Sequence, residues 1–288
     1  MREKYIRIIK GSAYTSPKSG KGSVKGGAKT IAFDLDETIG SFGDLYLLWV
    51  GIETYIQPTN DSSVLFRELL DLYPEFLRHG ILSILEYLLH KKRIGECSQV
   101  VLYTNNQCKE GWIDHILQYL GDKLGEPLFD KTVCAFKIHN KITNKERTSN
   151  NKSYTDLIRC IMLPRSAEVC FIDNSYYEDM VHDRVYYIQP RSYKHSLSTD
   201  EIIDRFISKW VLFSLPVNFE STLYEWFLMN NAIKKGDMNE SNTTIDITVS
   251  QKIMYYLKEY FLLSTRSPKT KKISISLGRF TRKKRGRQ

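Results

Sequence analysis

The sequence predicts an α/β fold in which helices cover a central parallel sheet. Four short apolar segments have the composition of buried strands, and segments with helical periodicity lie between them. This alternation is typical of parallel strands joined by right-handed crossovers. Polar residues directly follow the first three of these strands. In open α/β sheets the carboxyl ends of the strands are where ligands bind, so the same observation predicts the position of a site.

The composition is that of a globular protein, with 288 residues of which 42% are hydrophobic and 26% are charged. Five scattered cysteines without a CxxC pair indicate neither a disulfide framework nor a zinc site. A reducing compartment suits them, and we therefore expect an intracellular location, cytoplasmic or nuclear. The chain opens without an apolar leader, and its longest apolar stretches are too short to span a bilayer, so we expect no membrane partner.

The net charge of +9 is concentrated at the two ends of the chain. Residues 1–29 carry a net charge of +7 and residues 265–288 carry +10, which leaves −8 for residues 30–264. We interpret 1–29 as a basic flexible N-terminal arm, although residues 1–10 have an apolar face that suits a short strand. The basic tail, 264–288, is either a solvated run or a segment that binds nucleic acid or directs nuclear import.

The first predicted strand, Thr30 to Phe33, leads directly into Asp34 and Asp36. Side chains two apart on an extended chain point to the same side, so both carboxylates can face one pocket. Two such charges about 4 Å apart repel each other by roughly 4 kcal/mol at an effective dielectric constant of about 20. A bound cation or protonation of one carboxyl relieves this repulsion. Mg²⁺ binds carboxylate oxygens as ligands, and a protonated aspartate can donate its proton to a leaving group.

The next segments are predicted to be helical. Residues 43–73 form a connecting insert that is expected to make a small flap or helical cap over the pocket. Between residues 63 and 90 the apolar residues recur at helical spacing, with breaks at Pro74 and Gly80, which predicts two helices.

The second predicted strand, residues 99–103, ends at Thr104 and Asn105. A hydroxyl at this position can bond a phosphate oxygen, and the start of the following helix, residues 111–120, adds amide donors. The alternative is an ordinary helix-capping threonine.

A hairpin is predicted at residues 130–141, and the polar residues 140–151 are expected to form an exposed loop. Lys152 then opens the next predicted helix. A lysine at a helix start is electrostatically unfavourable, because the helix dipole favours anions there. A phosphate partner would explain it. The alternative is an ordinary surface lysine, and the rivals for the phosphate-binding role are Lys137, Lys141 and Lys145.

The third predicted strand, residues 168–172, ends at Asp173 and Asn174, and a fourth covers residues 184–189. The Asn174 side chain offers a neutral oxygen to a metal ion. Asp173 can contact that metal, or Lys152, or both. The predicted domain ends near residue 198. Three further predicted helices, 198–213, 219–233 and 248–263 with Thr248 as its cap, make a helical extension over 199–263.

Four strings in this order resemble the four motifs of the haloacid dehalogenase (HAD) superfamily, and most closely its C-terminal-domain small phosphatase branch, also called NLI-interacting-factor-like. The strings are Asp34-Leu35-Asp36-Glu37-Thr38, then Thr104, then Lys152 with Asp156 and Leu157, then Asp173-Asn174-Ser175. The resemblance covers roughly residues 30–190, within the predicted domain 30–198.

The resemblance implies a Rossmann-like three-layer sandwich and an Mg²⁺-dependent phosphatase that forms an aspartyl-phosphate on Asp34. It implies that Asp36 is the general acid and base and that Thr38 braces the loop. The implied phosphate-binding residues are Thr104, Asn105 and Lys152, and the implied metal-binding residues are Asp34, Asp36, Asp173 and Asn174. The implied substrate is a phosphoprotein, dephosphorylated at phosphoserine or phosphothreonine.

Two departures from the family pattern keep other functions open. Ile39-Gly40 replaces the more usual Leu-Val, and His79-Gly80 stands where the family often has Pro-Gly. A 3′-phosphatase acting on nucleic acid would make use of the basic ends. A non-catalytic binding protein of the same fold is the other alternative. Large DNA viruses encode proteins that resemble this branch, and the Asn-, Lys-, Tyr- and Ile-rich composition is compatible with such an origin.

Overall fold

The computed structural model describes residues 4–15, 29–55, 62–138, 141–165, 167–210, 215–236 and 240–263. The strands in these ranges are β1 (Ile6–Lys10), β2 (Lys29–Phe33), β3 (Cys97–Tyr103), β4 (Lys131–Val133), β5 (Lys137–Ile138), β6 (Lys141–Ile142), β7 (Val169–Ile172) and β8 (Val185–Pro190). The α-helices are α1 (Gly43–Tyr55), α2 (Ser62–Leu72), α3 (Ile81–Arg93), α4 (Trp112–Leu124), α5 (Tyr154–Cys160), α6 (Thr199–Trp210), α7 (Phe219–Met229) and α8 (Glu240–Leu262).

The central sheet has the strand order β1-β8-β7-β2-β3-β4 in the described part of the chain. Strands β8, β7, β2, β3 and β4 are parallel, and β1 is antiparallel to β8 at one edge. The prediction of an α/β fold with a mostly parallel central sheet is therefore confirmed. Strand β2 lies between β3 and β7, so the three strands with polar residues at their carboxyl ends are neighbours.

Helices cover both faces of the sheet, which explains why β2 and β7 are buried at every position and why β7 is a continuous apolar run. Alternate side chains of β2 enter different cores. Ile31 and Phe33 pack with the larger core, and Ala32 packs with the smaller one. The smaller core contains side chains of α5, whereas the larger contains those of α1 to α4 and α6 to α8. The chain therefore forms three layers.

The two helices predicted between residues 63 and 90 are present as α2 and α3, and a short 3-10 helix (Pro74–Phe76) separates them. Gly80 adopts a φ of 70° immediately before α3, a conformation that glycine accepts without strain. Of the small flap or helical cap expected in residues 43–73, the described residues show two helices, α1 and α2. Leu45, Leu48 and Ile52 of α1 are fully buried, so this segment packs as a layer of the main core.

The N-terminal segment contributes to the sheet. Residues 6–10 form β1, with Ile6 opposite Pro190, so this part of the predicted arm is an edge strand because its apolar residues pair and pack. Tyr14 is also buried. Residues 16–28 of the predicted arm and the whole basic tail, 264–288, lie outside the described residues.

Other boundaries differ from the predictions. Helix α8 begins at Glu240, and Thr248 lies inside it, with its hydroxyl donating to the Thr244 carbonyl at 2.8 Å, so Thr248 is not a cap. The hairpin is shorter than predicted. Strand β4 joins β3 in the central sheet, and only β5 and β6 pair as a hairpin. The five cysteines are free thiols. No helix among the described residues is long and apolar enough to cross a membrane.

Candidate active site

Three strand ends meet at one edge of the sheet and bring the predicted site residues together. Asp34 follows β2, Thr104 follows β3 and Asp173 follows β7, and these strands are adjacent in the order β7-β2-β3. The backbone amide of Asp34 donates to the Ile172 carbonyl at 2.9 Å, so the pairing continues up to the first aspartate. The polar side chains therefore share one pocket because parallel strands end at the same side.

Lys152 lies between two of the aspartates. Its ammonium is 2.5 Å from Asp34 Oδ1 and 2.6 Å from Asp173 Oδ2, and its side chain is 1% exposed. Burial lowers the pKa of Lys152, but the negative charges of Asp34 and Asp173 outweigh this, so its pKa lies above the ordinary value. The lysine is therefore a fixed cation beside the first carboxylate.

The start of α5 explains why this lysine points inward. Ser153 is the cap, and its hydroxyl accepts a hydrogen bond from the Asp156 amide. The Ser153 amide donates to the Tyr103 hydroxyl at 3.1 Å, which ties the helix start to the end of β3. Lys152 therefore lies one residue before the cap, outside the helix, and its side chain points to the site. The rival lysines at 137, 141 and 145 are all exposed.

Asp36 is half-buried, and its Oδ2 accepts a hydrogen bond from Asn106 Nδ2 at 2.8 Å. Burial and the nearby charge of Asp34 raise the pKa of Asp36 to about 6, against the lowering effect of the Asn106 hydrogen bond. A carboxyl with such a pKa exchanges its proton near neutral pH, as a general acid and base must. Asn106 is itself fixed, because its Oδ1 accepts from the Cys108 amide at 2.9 Å.

Thr38 and Asn174 connect the loops after β2 and β7. The Thr38 hydroxyl lies 3.0 Å from Asn174 Oδ1 and 3.3 Å from Asp34 Oδ2, and it accepts from the Asn174 amide at 3.0 Å. Asn174 Nδ2 donates to Glu37 Oε2 at 3.2 Å and to Ser192 Oγ at 3.0 Å. These contacts place Thr38 as a brace between the two loops.

Asp173 has both carboxylate oxygens engaged. Oδ2 accepts from Lys152, and Oδ1 accepts from the Ser175 amide at 2.8 Å. Burial raises the pKa of Asp173, and the ammonium of Lys152 opposes that rise. The sequence left open whether Asp173 contacts a metal ion, Lys152 or both. The structure shows the contact with Lys152, and the role of Asp173 as a metal ligand stays a prediction.

The residues after β3 serve partly to hold the loop. The Thr104 hydroxyl accepts from the Asn106 amide at 3.0 Å, which is the capping contact weighed as the alternative. Asn105 donates to the Asn150 carbonyl at 2.8 Å, and its Oδ1 accepts from Arg147 Nη1 at 2.8 Å. Asn105 therefore braces the loop in this structure, and its contact with phosphate stays a prediction.

Two buried arginines were missed by the sequence analysis. Arg78 is 1% exposed and donates to the carbonyls of Glu37 and Thr38 at 2.6 Å each, so it fixes the loop after Asp36. Burial lowers the pKa of Arg78 to about 10. Glu37 has a φ of 57°, a left-handed conformation that these contacts help to hold.

Arg147 is the one buried residue between 141 and 150, in a segment predicted to be an exposed loop. Its guanidinium donates to the carbonyls of Thr104 and Cys134, at 3.2 and 3.0 Å, and lies over the Tyr103 ring. It therefore holds the loop after β3. No sequence signal marked either arginine, because both bind mainly backbone carbonyls, which any residue type supplies.

Neither a scan against protein-family models nor a search of curated proteins finds a match for this chain. The function is therefore inferred from the geometry of the site together with the motif resemblance.

The donor set suits Mg²⁺. It consists of oxygen atoms, which Mg²⁺ prefers, and it carries more negative than positive charge, since three carboxyls face one ammonium. The Asp34 Oδ2 atom has only the 3.3 Å contact with Thr38 among the described residues, so it is open to a phosphoryl group, while Oδ1, which accepts from Lys152, keeps a second lone pair for a metal ion. Within the same residues no group of three or more His, Cys, Asp or Glu side chains is arranged to hold a metal. The predicted set instead combines carboxylates with the Asn174 carboxamide.

Proposed function

We propose that the protein is an Mg²⁺-dependent phosphomonoesterase of the HAD type, with a Rossmann-like core, that acts through an aspartyl-phosphate intermediate. The observation that supports this most is that Asp34, Asp36 and Asp173, which follow adjacent strands, converge with Lys152, which precedes α5. Lys152 and Asp34 are 118 positions apart in the chain, yet they form a buried ion pair. These are the four charged residues that the motif resemblance assigns to one phosphoryl-transfer site.

In the first step Asp34 is the nucleophile. Lys152 occupies Oδ1, so Oδ2 is the oxygen that attacks phosphorus. The new bond joins Asp34 Oδ2 to phosphorus while the bond from phosphorus to the ester oxygen breaks. Asp36 gives its proton to that leaving oxygen, and the pKa of about 6 means that a useful fraction of Asp36 holds this proton near neutral pH.

In the second step Asp36, now a carboxylate, takes a proton from a water molecule. The resulting hydroxide attacks phosphorus, the bond to Asp34 breaks, and inorganic phosphate leaves. The contact from Asn106 keeps the Asp36 carboxylate in one orientation through both steps. Together the two steps restore the free Asp34 carboxylate and the protonated Asp36.

Positive charge and hydrogen-bond donors stabilise the phosphoryl oxygens during transfer. Lys152 is held by Asp34 and Asp173 before phosphate arrives, so little reorganisation is needed for it to donate to a phosphoryl oxygen. The Thr104 hydroxyl accepts from a backbone amide and keeps its own hydrogen for a second phosphoryl oxygen. When bound by Asp34, the Asp36 main-chain carbonyl and Asn174, Mg²⁺ supplies charge that offsets the repulsion between nucleophile and phosphate.

The substrate class proposed is phosphoserine or phosphothreonine in a protein. Residues 30–264 carry a net charge of −8, which does not favour a continuous nucleic-acid backbone. The basic tail that would favour nucleic acid lies outside the described residues.

The test is hydrolysis of p-nitrophenyl phosphate and of phosphoserine peptides with Mg²⁺, by wild type and by Asp34→Asn. We expect the substitution to abolish turnover without loss of the fold, because it removes the nucleophile and keeps its shape. Asp183→Asn is the matched control, since Asp183 is exposed and lies before β8, at the opposite end of the sheet. Retained turnover in Asp34→Asn would refute the nucleophile assignment. Failure of the wild type on every substrate would favour a binding protein.

A further inference from the structure

A cleft of about 550 Å³ lies beside the candidate active site. Its walls come from the segment 191–196 after β8, from the first turns of α8 and from residues just before α3. Ser192 joins the two sites, because it lines the cleft and accepts a hydrogen bond from Asn174. The catalytic mechanism uses none of the other residues that line this cleft.

The distance between the two sites is set by a chain of hydrogen bonds. It runs from Asp34 through Thr38 and Asn174 to Ser192, with contacts of 3.3, 3.0 and 3.0 Å. With about 2 Å added for the Asn174 carboxamide, these contacts limit the separation to about 12 Å at most, and an extended polypeptide advances about 3.3 to 3.6 Å per residue. A peptide with its phosphate on Asp34 therefore reaches the cleft within about three to four residues.

Two cations, Arg191 and Lys194, and two carboxylates, Glu75 and Asp246, line the cleft, and the neighbouring Arg205 and Arg78 leave positive charge in excess around it. Arg191 and Lys194 are exposed on its wall, and His79 also lines it. The Glu75 carboxylate is paired with Arg205 at 2.8 Å, which offsets its charge.

The second carboxylate of the cleft, Asp246, is balanced as well. The nearby guanidinium groups of Arg78 and Arg191 attract its negative charge. Among the described residues Arg78 Nη1 has no hydrogen-bond partner, although the side chain is buried. The cleft is thus suited to an anionic group, in contrast to the carboxylate-rich catalytic site.

The two carboxylates in the cleft argue for a peptide over a nucleic acid. They interrupt the row of positive charge that a continuous row of phosphates requires, whereas they can accept hydrogen bonds from peptide amides. An apolar groove of about 380 Å³ continues from His79 between α3 and α8, lined by Ile84, Ile247 and Met254. Such a groove suits an apolar side chain of the same peptide.

We propose that this cleft binds the substrate peptide beside its phosphorylated residue, with an anionic side chain about three positions away against Arg191 and Lys194. The proposal rests on the proposed phosphatase function. It makes the protein selective for phosphoserine or phosphothreonine with an acidic side chain about three positions away, and it assigns that selectivity to α8 and the segment 191–196.

The test compares phosphoserine peptides that carry Glu or Gln at the third position on either side of the phosphoserine. We expect kcat/KM to fall about tenfold on the Glu-to-Gln change on one side, as for the loss of one charge-assisted hydrogen bond. The double variant Arg191→Gln, Lys194→Gln should lose this preference. Lys209→Gln is the control, because Lys209 is exposed on α6 and outside the cleft. All variants should hydrolyse p-nitrophenyl phosphate at the wild-type rate.

Failure of this proposal is distinguishable from failure of the phosphatase function. Equal kcat/KM for Glu and Gln peptides, with normal turnover of p-nitrophenyl phosphate, would refute the role of the cleft in peptide binding and leave the phosphatase function standing. A preference shown for 3′-phosphorylated oligonucleotides in place of peptides would also refute that role. If the wild type hydrolyses no substrate, fluorescence anisotropy with the same peptides, labelled, tests whether the cleft distinguishes Glu from Gln. An equal Kd for the two peptides would then refute the proposed role of the cleft.

Discussion

The Asp36→Asn substitution should stabilise the folded protein at neutral pH while abolishing turnover. The carboxyl is half-buried beside Asp34, and its pKa rises from the ordinary value of 3.8 to about 6. One pKa unit corresponds to about 1.4 kcal/mol, so a rise of about two units costs the folded state up to about 3 kcal/mol once Asp36 is ionised. Because the side chain keeps contact with water, this figure is an upper bound. An asparagine removes the charge and retains an oxygen that accepts from Asn106.

The effect has a defined pH window. A carboxyl whose pKa is higher in the folded than in the unfolded state binds more protons when folded. Its stabilising contribution is therefore complete below pH 3.8 and is lost as the pH rises through about 6. The stability difference between Asp36→Asn and wild type should grow between about pH 4 and pH 7 and then stay constant.

Urea unfolding of both proteins at a series of pH values, in the presence of a chelator, measures this difference. Other carboxyls titrate in both proteins and cancel in the comparison. Asp183→Asn, which removes an exposed carboxyl, should change the free energy of unfolding by no more than a few tenths of a kcal/mol. The reasoning fails if Asp36→Asn is no more stable than wild type at pH 8, or if the difference between them does not vary with pH.

Two further outcomes follow from the contacts of the site. Lys152→Met should lower the free energy of unfolding by about 3 kcal/mol at pH 8, because it leaves Asp34 and Asp173 buried without their cation. The loss, measured by urea unfolding, should be smaller at pH 5, and an equal loss at both pH values would contradict the charge argument. Asn106→Ala should move the alkaline limb of the kcat/KM profile to higher pH, since the Asn106 hydrogen bond lowers the pKa of Asp36. A profile that falls in height without shifting would show that Asn106 does not set this pKa.

The position of the site was predictable because it depends on local patterns. An apolar run marks a buried strand whatever its partners, and residues two apart on it share a side. Once the strands are parallel, the groups after β2, β3 and β7 must lie at one edge. Lys152 was predictable for a similar reason, since a lysine before a helix start is unfavourable without an anionic partner.

The supporting residues were not predictable because their partners are distant and lack a characteristic residue type. Arg78 binds carbonyls about 40 positions away, and carbonyls carry no sequence signal. The start of α8 was missed because its first turns are rich in Asn, Ser and Thr, which have low helix propensity. Packing of Val249, Ile253 and Leu257 into the main core compensates for that deficit.

The charge arrangement of the site is unfavourable for stability but suits phosphoryl transfer. Three carboxyls at one edge of the sheet repel one another unless a cation lies between them, and a well-packed apolar edge would be more stable. Lys152 offsets only part of the repulsion, because it is bound to Asp34 and Asp173, while the Asp36 carboxyl receives its hydrogen bond from the neutral amide of Asn106. The remaining negative charge matches a divalent cation, and the raised pKa of Asp36 matches a proton carrier. Buried Arg78 and Arg147 then hold the loops that present these groups, so the fold retains an unfavourable cluster in one geometry suited to phosphoryl transfer.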